Sequence, residues 1–157
     1  MSKIVDSEII IRRMMRSDID LILVLDEKIG QGQSKVSYRD LVVTDPGGPL
    51  DFSFVCEYKG IIIGFILARL AYMGLPLIAT CVIGAIAVDP DYQEHGMGTK
   101  MVIKVLDRCY NEDIPRARAL IDEEDIDLAR FFQRLSFQRS KFANYDHLAI
   151  ADYLPSK

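Results

Sequence analysis

The feature that most constrains the fold is an apolar run that ends at a proline and leads into two closely spaced glycines. The run from Cys81 to Val88 stops at Asp89-Pro90. Proline cannot donate a hydrogen bond to a neighbouring strand, so we expect the strand to end at Val88. Gln93-x-x-Gly96-x-Gly98 follows, and apolar residues then recur at helical spacing from Met101 to Tyr110. The pattern predicts a strand, a glycine turn and an amphipathic helix.

The two glycines lie where this helix begins. The first N–H groups of a helix have no partner inside it, and the helix dipole favours negative charge at that end. Glycine has no side chain to keep a bound group away from the backbone. The junction is therefore typical of a phosphate or diphosphate site. The alternative is that Gly96 and Gly98 only permit a tight turn.

The phrase from Val88 to Thr99, V-D-P-D-Y-Q-E-H-G-M-G-T, resembles the acetyl-CoA-binding segment of the GNAT superfamily of N-acetyltransferases. In that family a Q/R-x-x-G-x-G/A loop wraps the pyrophosphate of coenzyme A, and the preceding strand pairs with the pantetheine arm. The resemblance implies acetyl-CoA as the cosubstrate. It also implies a mixed α/β GNAT acyl-CoA N-acyltransferase fold, with a central, mostly antiparallel sheet of six to seven strands flanked by four helices.

The resemblance assigns coenzyme contacts to both the strand and the loop. Ile86, Ala87 and Val88 would lie along the pantetheine arm, and the N–H of Ile86 would stabilise negative charge on the thioester carbonyl. Backbone N–H groups of five loop residues would bind the pyrophosphate: His95, Gly96, Met97, Gly98 and Thr99. Gln93 either holds the start of this loop or is a surface polar residue.

The segment from Asp125 to Phe137 resembles a second family motif, N-x-x-A-x-x-F-Y-x-x-x-G-F, with departures. Asp125 stands at the asparagine and is expected to contact the coenzyme. Phe132 stands at the tyrosine, which in the family lies near the coenzyme sulfur and reprotonates the leaving thiolate. Because a phenyl ring has no O–H, Phe132 is expected only to pack against the thioethanolamine end. The proton then comes from water or from Tyr145, or catalysis is weak or absent.

A general base is also needed, because an alkyl amine with a pKa of about 10.4 is protonated at neutral pH. Asp122 is the preferred candidate, since the end of the fifth strand would border the thioester. The sequence offers four other carboxylates: Glu57, Glu123, Asp26 and Glu27. For all five, Asp122 included, the alternative is a solvated surface position. A cysteine nucleophile is not favoured, because Cys81 lies in an apolar run with no histidine motif beside it.

The length of 157 residues predicts one domain, residues 1–157, and the fractions of apolar (50%) and charged (27%) residues are typical of a globular protein. Reduced cysteines and the lack of a signal pattern predict a cytoplasmic location. A net charge of −4 does not favour nucleic-acid binding, because domains that bind nucleic acid are usually basic. Three widely spaced cysteines and two histidines favour reduced thiols over disulfides or a metal site. No apolar stretch approaches the length of a membrane span, and the first residues show no signal pattern, so no membrane partner is expected.

Periodicity and turn signals predict the element order β-α-α-β-β-β-α-β-α-β-β. A second helix would run from Ser34 or Ser37 to Val43. The fifth strand would cover Arg116 to Asp122, and the fourth helix Asp125 to Leu135. Phe137–Phe142 and His147–Ile150 would form a closing hairpin.

These observations lead to one main functional hypothesis and two alternatives. The main hypothesis is an N-acetyltransferase that moves the acetyl group of acetyl-CoA directly to a primary amine, on a small molecule or on a protein. The first alternative is a GNAT-fold acyl-CoA sensor or binding module with little or no catalysis. The second is an interaction protein that has kept only the fold. The resemblance places the acceptor beside Gly30–Gln33 and Asn144–His147, and it is compatible with a homodimer.

Overall fold

A computed structural model describes residues 4–30, 48–73, 76–93 and 95–156 of the chain. Five strands form one sheet whose spatial order is the chain order. They are β1 (Ile9–Arg13), β2 (Phe54–Tyr58), β3 (Ile61–Met73), β4 (Ile78–Val88) and β5 (Arg116–Ala119). The first four strands pair antiparallel, and β4 pairs with β5 in parallel. The predicted mixed, mostly antiparallel sheet is confirmed.

Four α-helices are present in the described residues: α1 (Ile19–Ile29), α2 (Pro49–Phe52), α3 (Met97–Asn111) and α4 (Ile126–Arg134). The short helix α2 was not predicted from the sequence. The helix predicted from Ser34 or Ser37 to Val43 lies outside the described residues. Helix α4 lies within the predicted segment.

The predicted count of six to seven strands is wrong for the described residues, because the closing hairpin does not form. Residues 138–156 contain no strand and are exposed along their whole length. The stretch after Phe137 reads Gln-Arg-Ser-Lys before the next aromatic residue. It therefore lacks the alternation of apolar and polar side chains that buries one face of a strand. Strand β5 is also shorter than predicted and ends at Ala119.

The helices cover the two faces of the sheet. On one face Ile19, Ile22 and Leu25 of α1 pack with Val55 and Phe65. On the opposite face the larger part of the core gathers apolar side chains from α3 and α4 against the sheet: Met97, Met101, Val102, Val105, Cys109 and Phe132. This burial confirms the apolar face predicted for the helix after the glycine turn, except at Tyr110, which is 84% exposed.

A β-bulge midway along β4 changes which face of the sheet the later side chains of the strand occupy. In the register with β3, Leu67 lies opposite Ala85 and Ala68 lies opposite Ile83, so Gly84 has no partner. One extra residue reverses the alternation of side chains beyond it. The side chains of Ile86 and Val88 consequently pack on the α3 side together with Ile83. Without the bulge they would point toward α1.

An arginine network ties the start of α1 to the sheet. Arg12 in β1 donates to both carboxylate oxygens of Asp18 at 2.8 Å and to Glu57 of β2 at 2.8 Å. Asp18 also accepts a hydrogen bond from the N–H of Met15 at 2.7 Å. The hydrogen bonds from Arg12 hold the pKa of Asp18 below its usual value, although burial opposes them.

We predict that Asp18→Asn lowers the free energy of unfolding at pH 7 by about 1–3 kcal/mol, because charge-assisted hydrogen bonds to Arg12 are lost. A lowered folded-state pKa stabilises the protein above the unfolded-state value and loses that contribution as the pH falls through the folded-state value. Urea denaturation at pH 7 and at about pH 3 should therefore show the difference shrinking in acid. The exposed Asp107→Asn serves as the control, and equal stability of all three proteins at pH 7 would contradict the prediction.

Candidate active site

A cavity of about 670 Å³ opens beside the end of β4. Its walls come from four parts of the fold. Strand β4 supplies Ile86, Ala87 and Val88, and the following turn and helix start supply Tyr92, Gln93, Gly96, Met97, Gly98 and Thr99. The remaining lining residues come from α1 and α4: Ile29, Asp127, Leu128, Phe131 and Arg134. The structure thus brings eight of the sequence-predicted site residues into one cavity: Ile86, Ala87, Val88, Gln93, Gly96, Met97, Gly98 and Thr99.

The last residues of β4 have an open edge toward this cavity. The carbonyl of Ile83 accepts a hydrogen bond from the N–H of Leu120 at 3.0 Å, so the backbone of Ile83 faces β5. Side-chain direction and backbone hydrogen-bonding direction alternate together along a strand. Ile86 and Val88 share the face of Ile83, so their N–H groups also point to the β5 side. Strand β5 ends at Ala119, so it does not continue alongside Ile86 and Val88.

The N-terminus of α3 forms the adjoining wall. Gly96 is the N-cap residue, with φ of +72°, and no side chain caps the helix. A Cβ added at Gly96 would meet no atom within 4 Å, so glycine is required there by backbone conformation and not by crowding. The first turn contains no acidic residue. The first residues of α3 line the cavity, and their N–H groups, which have no partner inside the helix, favour an anion there.

Gly98 allows α3 and α4 to approach each other beside these N–H groups. A Cβ at Gly98 would lie 3.3 Å from Cζ of Phe131 and 3.9 Å from Cδ1 of Ile86. The first of these distances is tighter than ordinary van der Waals contact, so a larger residue would push the Phe131 ring away. The glycine thus brings the open strand edge, the helix N-terminus and α4 into one cavity.

Gln93 turns back toward the strand. Its side-chain amide donates to the carbonyl of Val88 at 3.1 Å, although most of the residue is exposed. Nearby, the carboxylate of Asp89 accepts the N–H of Asp91 at 3.0 Å and begins a short 3₁₀ turn, Pro90–Tyr92. These bonds fix how the chain leaves β4 and enters the glycine loop.

Two neighbouring phenylalanines of α4 have different positions. Phe131 lines the cavity, whereas Phe132 is 2% exposed and belongs to the core. Phe132 packs edge-on against Phe131 and Phe137, with ring centroids 5.1 Å apart in each case. The position assigned to a tyrosine in the family motif is thus a packed aromatic residue here. Adjacent helical residues point about 100° apart, so only one of the two rings can face the cavity.

Several predicted site residues do not line the cavity. His95 is exposed and lies outside its lining. Asp125 caps α4, with its carboxylate accepting the N–H of Leu128 at 3.0 Å. Asp122 is exposed and accepts the N–H of Glu124 at 2.9 Å, and Tyr145 is 97% exposed.

The other carboxylates considered as a base also lie elsewhere. Glu57 is bound by Arg12, and Glu123 pairs with Arg139 at 2.6 Å. Asp26 is buried in α1 and Glu27 is exposed. Among the described residues, Asp127 is the carboxylate that lines the cavity.

Sequence reasoning missed Tyr92 and the lining residues of α4 and α1. Asp127, Phe131 and Arg134 recur at helical spacing and therefore share one face. That spacing is visible in the sequence, but it does not show which face of the helix turns toward the glycine loop. Within the described ranges, Arg134 is the one basic residue in the lining of this cavity, which also includes the first residues of α3.

No group of three or more histidine, cysteine or acidic residues is arranged to hold a metal ion in the described ranges 4–30, 48–73, 76–93 and 95–156. Within the same ranges, no helix combines the length and apolar character needed to cross a membrane.

A family model for the acetyltransferase (GNAT) family matches residues 25–137 of the sequence. The chain belongs to the GNAT acetyltransferase family. Members of this family are acetyl-CoA-dependent N-acetyltransferases, and the resemblance seen in the glycine loop is confirmed. None of the curated proteins compared with the sequence matches it significantly.

Solved GNAT structures share the fold at low sequence identity. The aminoglycoside N-acetyltransferase AAC(6′)-Iy in complex with CoA has a TM-score of 0.73 at 16% identity, covering 90% of this chain and 95% of that one. A possible acetyltransferase from Clostridium difficile has a TM-score of 0.74 at 17% identity, covering 90% and 98%. Ribosomal-protein-alanine N-acetyltransferase from Brucella melitensis has a TM-score of 0.70 at 11% identity, covering 88% and 98%.

Proposed function

We propose that this GNAT protein transfers the acetyl group of acetyl-CoA directly to a primary amine, using the cavity at the end of β4. The observation that carries the proposal is that, among the described residues, a strand edge without a neighbouring strand and a helix N-terminus without a side-chain cap meet in one cavity. One is the open edge of β4 at Ile86 and Val88, and the other is the uncapped N-terminus of α3. An extended thioester with a diphosphate at its far end matches both.

The diphosphate is assigned to the N–H groups at the start of α3. Gly96, Met97, Gly98 and Thr99 line the cavity, and the Thr99 hydroxyl offers a further donor. The helix dipole and the Arg134 side chain in the same lining both favour negative charge. The pantetheine arm is assigned to the open edge of β4, where its amides can pair with Ile86 and Val88 as an added strand would.

In the proposed reaction the amine nitrogen attacks the thioester carbonyl, so a C–N bond forms and the C–S bond breaks. The N–H of Ile86 donates to the carbonyl oxygen as negative charge develops on it. Asp127 lines the cavity, so we place the acceptor of the amine proton there in preference to Asp122. The thiolate takes a proton from water, which is feasible because a thiol has a pKa of about 8.5.

The acceptor is proposed as a primary amine of a small molecule or of a protein. AAC(6′)-Iy is an aminoglycoside N-acetyltransferase, and the Brucella enzyme is a ribosomal-protein-alanine N-acetyltransferase. The net charge of −4 is compatible with a cationic acceptor. Of the predicted acceptor side, residues 31–33 lie outside the described residues, and Asn144–His147 is exposed.

A coenzyme-binding module with little or no catalysis is the second candidate. It is favoured by one observation: the position of the family tyrosine is held by Phe132, which has no hydroxyl and is buried in the core. Such a module would bind acetyl-CoA as tightly as an enzyme but would release no coenzyme thiol.

We further propose that residues 1–157 form a single domain that acts in the cytoplasm without nucleic acid, and that two copies pair as a homodimer. Family resemblance supports the dimer. The three buried, unpaired cysteines support a reducing compartment.

The function is tested by titrating the purified protein with acetyl-CoA and then measuring thiol release with a panel of small amines and peptides. We expect binding and thiol release that depends on one class of amine. Binding without thiol release on any amine would favour the binding module. An absence of binding would contradict both candidates.

We predict that Gly96→Ala and Gly60→Ala lose similar stability, but that only Gly96→Ala weakens acetyl-CoA binding, by about tenfold or more. Both glycines have positive φ, +72° and +79°, and neither added Cβ meets an atom within 4 Å. The backbone strain is therefore matched at about 1–2 kcal/mol, and only position 96 adjoins the cavity. Calorimetric titration and urea denaturation measure the two effects. Equal affinity in the two variants would show that the diphosphate does not bind at the start of α3.

We predict that Arg134→Gln weakens acetyl-CoA binding by about tenfold at low salt, because a charge-assisted phosphate contact is lost. The loss should shrink as ionic strength rises, since salt screens an exposed charge. Arg130→Gln is the matched control, because Arg130 is exposed on the same helix but does not line the cavity. Calorimetric titration at two salt concentrations gives the comparison. Identical affinities for the two variants would contradict a phosphate contact at Arg134.

A further inference from the structure

Asp89 is a buried carboxylate at the end of β4 whose polar atoms all have partners. Its N–H donates to the carbonyl of Ile63 at 2.7 Å, and its own carbonyl accepts the N–H of Tyr92 at 2.9 Å. One carboxylate oxygen accepts the N–H of Asp91 at 3.0 Å. The other accepts the ammonium of Lys28 at 2.7 Å. The residue is 6% exposed, so its charge is held away from bulk water.

Lys28 reaches Asp89 from a different part of the chain. It lies in the last turn of α1, 61 residues before Asp89, and its ammonium also donates to Asp91 at 3.2 Å. The hydrogen bond to Asp89, and secondarily the one to Asp91, raises the pKa of Lys28 above its usual value. The lysine side chain is 52% exposed, but the Asp89 side chain is only 9% exposed. Removal of the lysine would leave a buried carboxylate without its cation, which is more costly than loss of a surface pair.

The bridge joins two walls of the cavity. Ile29 follows Lys28 directly and lines the cavity from the α1 side. Val88 precedes Asp89 directly, lines the cavity from β4, and accepts the Gln93 amide. The ion pair therefore links the end of α1 to the turn through which the chain enters the glycine loop. Neither Lys28 nor Asp89 lines the cavity itself.

We propose that Lys28 is a positioning residue that preorganises the coenzyme site by clamping the end of α1 to the start of the coenzyme loop. The inference rests on the proposed function, because it concerns how the same cavity holds acetyl-CoA. A loop that is already held loses less conformational freedom when the coenzyme binds. Without the clamp, only a fraction of molecules has the competent arrangement, and the apparent dissociation constant rises as that fraction falls.

The test compares Lys28→Gln with Lys59→Gln by calorimetric titration with acetyl-CoA. Lys59 lies in the turn between β2 and β3. It is a matched control, because its side chain is 55% exposed and its ammonium pairs with Glu8 at 3.8 Å. We expect Lys28→Gln to weaken binding by about three- to tenfold and Lys59→Gln to leave it unchanged. Lys28→Arg keeps the charge and should recover most of the affinity. A role in folding alone would lower stability in Lys28→Gln without changing affinity.

Steady-state kinetics and a double-variant cycle locate the effect. With any amine that supports turnover, KM for acetyl-CoA should rise by the same factor in Lys28→Gln while kcat changes less, because Lys28 touches no reacting atom. In an Asp89→Asn background, Lys28→Gln should cause no further loss of affinity. If Asp89→Asn does not fold, the affinities of Lys28→Gln, Lys28→Arg and Lys59→Gln still show whether Lys28 positions the coenzyme site.

Three results would overturn the inference. If Lys28→Gln and Lys59→Gln bind acetyl-CoA as the unaltered protein does, the clamp does not position the site, although the proposed function stands. If the loss in Lys28→Gln is undiminished in the Asp89→Asn background, Lys28 does not act through Asp89. If the unaltered protein fails to bind acetyl-CoA, the proposed function fails and this inference fails with it.

Discussion

The site depends on one extra residue in β4. Gly84 has no partner in the register with β3, and the bulge reverses which side of the sheet each later residue faces. The backbone of Ile86 and Val88 consequently points toward β5, but β5 has already ended at Ala119. A bulge alone would not make a site, and neither would a short last strand. Together they leave the end of β4, in the described part of the chain, without a neighbouring strand on its β5 side, beside helix α3. A strand edge of this kind can bind an extended ligand.

The second half of the site comes from the turn that leaves this strand. Asp89 fixes the turn through hydrogen bonds to its own neighbours, and Lys28 neutralises its charge from α1. Gly96 takes the left-handed conformation that begins α3 without a side-chain cap, and Gly98 admits Phe131 next to the first turn. Membership of the GNAT family and the geometry agree on a ligand with an extended amide arm and a diphosphate. Asp89 and Asp91 lie outside the cavity lining, and the ammonium of Lys28 offsets part of their negative charge.

The sequence predicted the parts of the site that lie close together in the chain. Pro90 and the paired glycines mark the strand end and the helix start locally, and eight of the predicted residues between Ile86 and Thr99 line the cavity. His95 is exposed and does not line it, and Tyr92 lines it although it was not predicted. The orientation of α4 was not predictable, because packing against Gly98 decides that Phe131 faces the cavity and Phe132 the core. The Lys28–Asp89 pair spans 61 residues and has no local signal. The predicted closing hairpin does not form, because residues 138–141 are polar and offer no alternating apolar face for the sheet to bury.

The most direct test of this account is a crystal structure of the protein with acetyl-CoA. We expect phosphate oxygens within about 3 Å of the N–H groups of Met97, Gly98 and Thr99, and pantetheine amides paired with Ile86 and Val88. The thioester carbonyl should lie against the N–H of Ile86. A coenzyme bound elsewhere, or one whose diphosphate does not contact the start of α3, would contradict the central claim that the open edge of β4 and the helix N-terminus together form the coenzyme site.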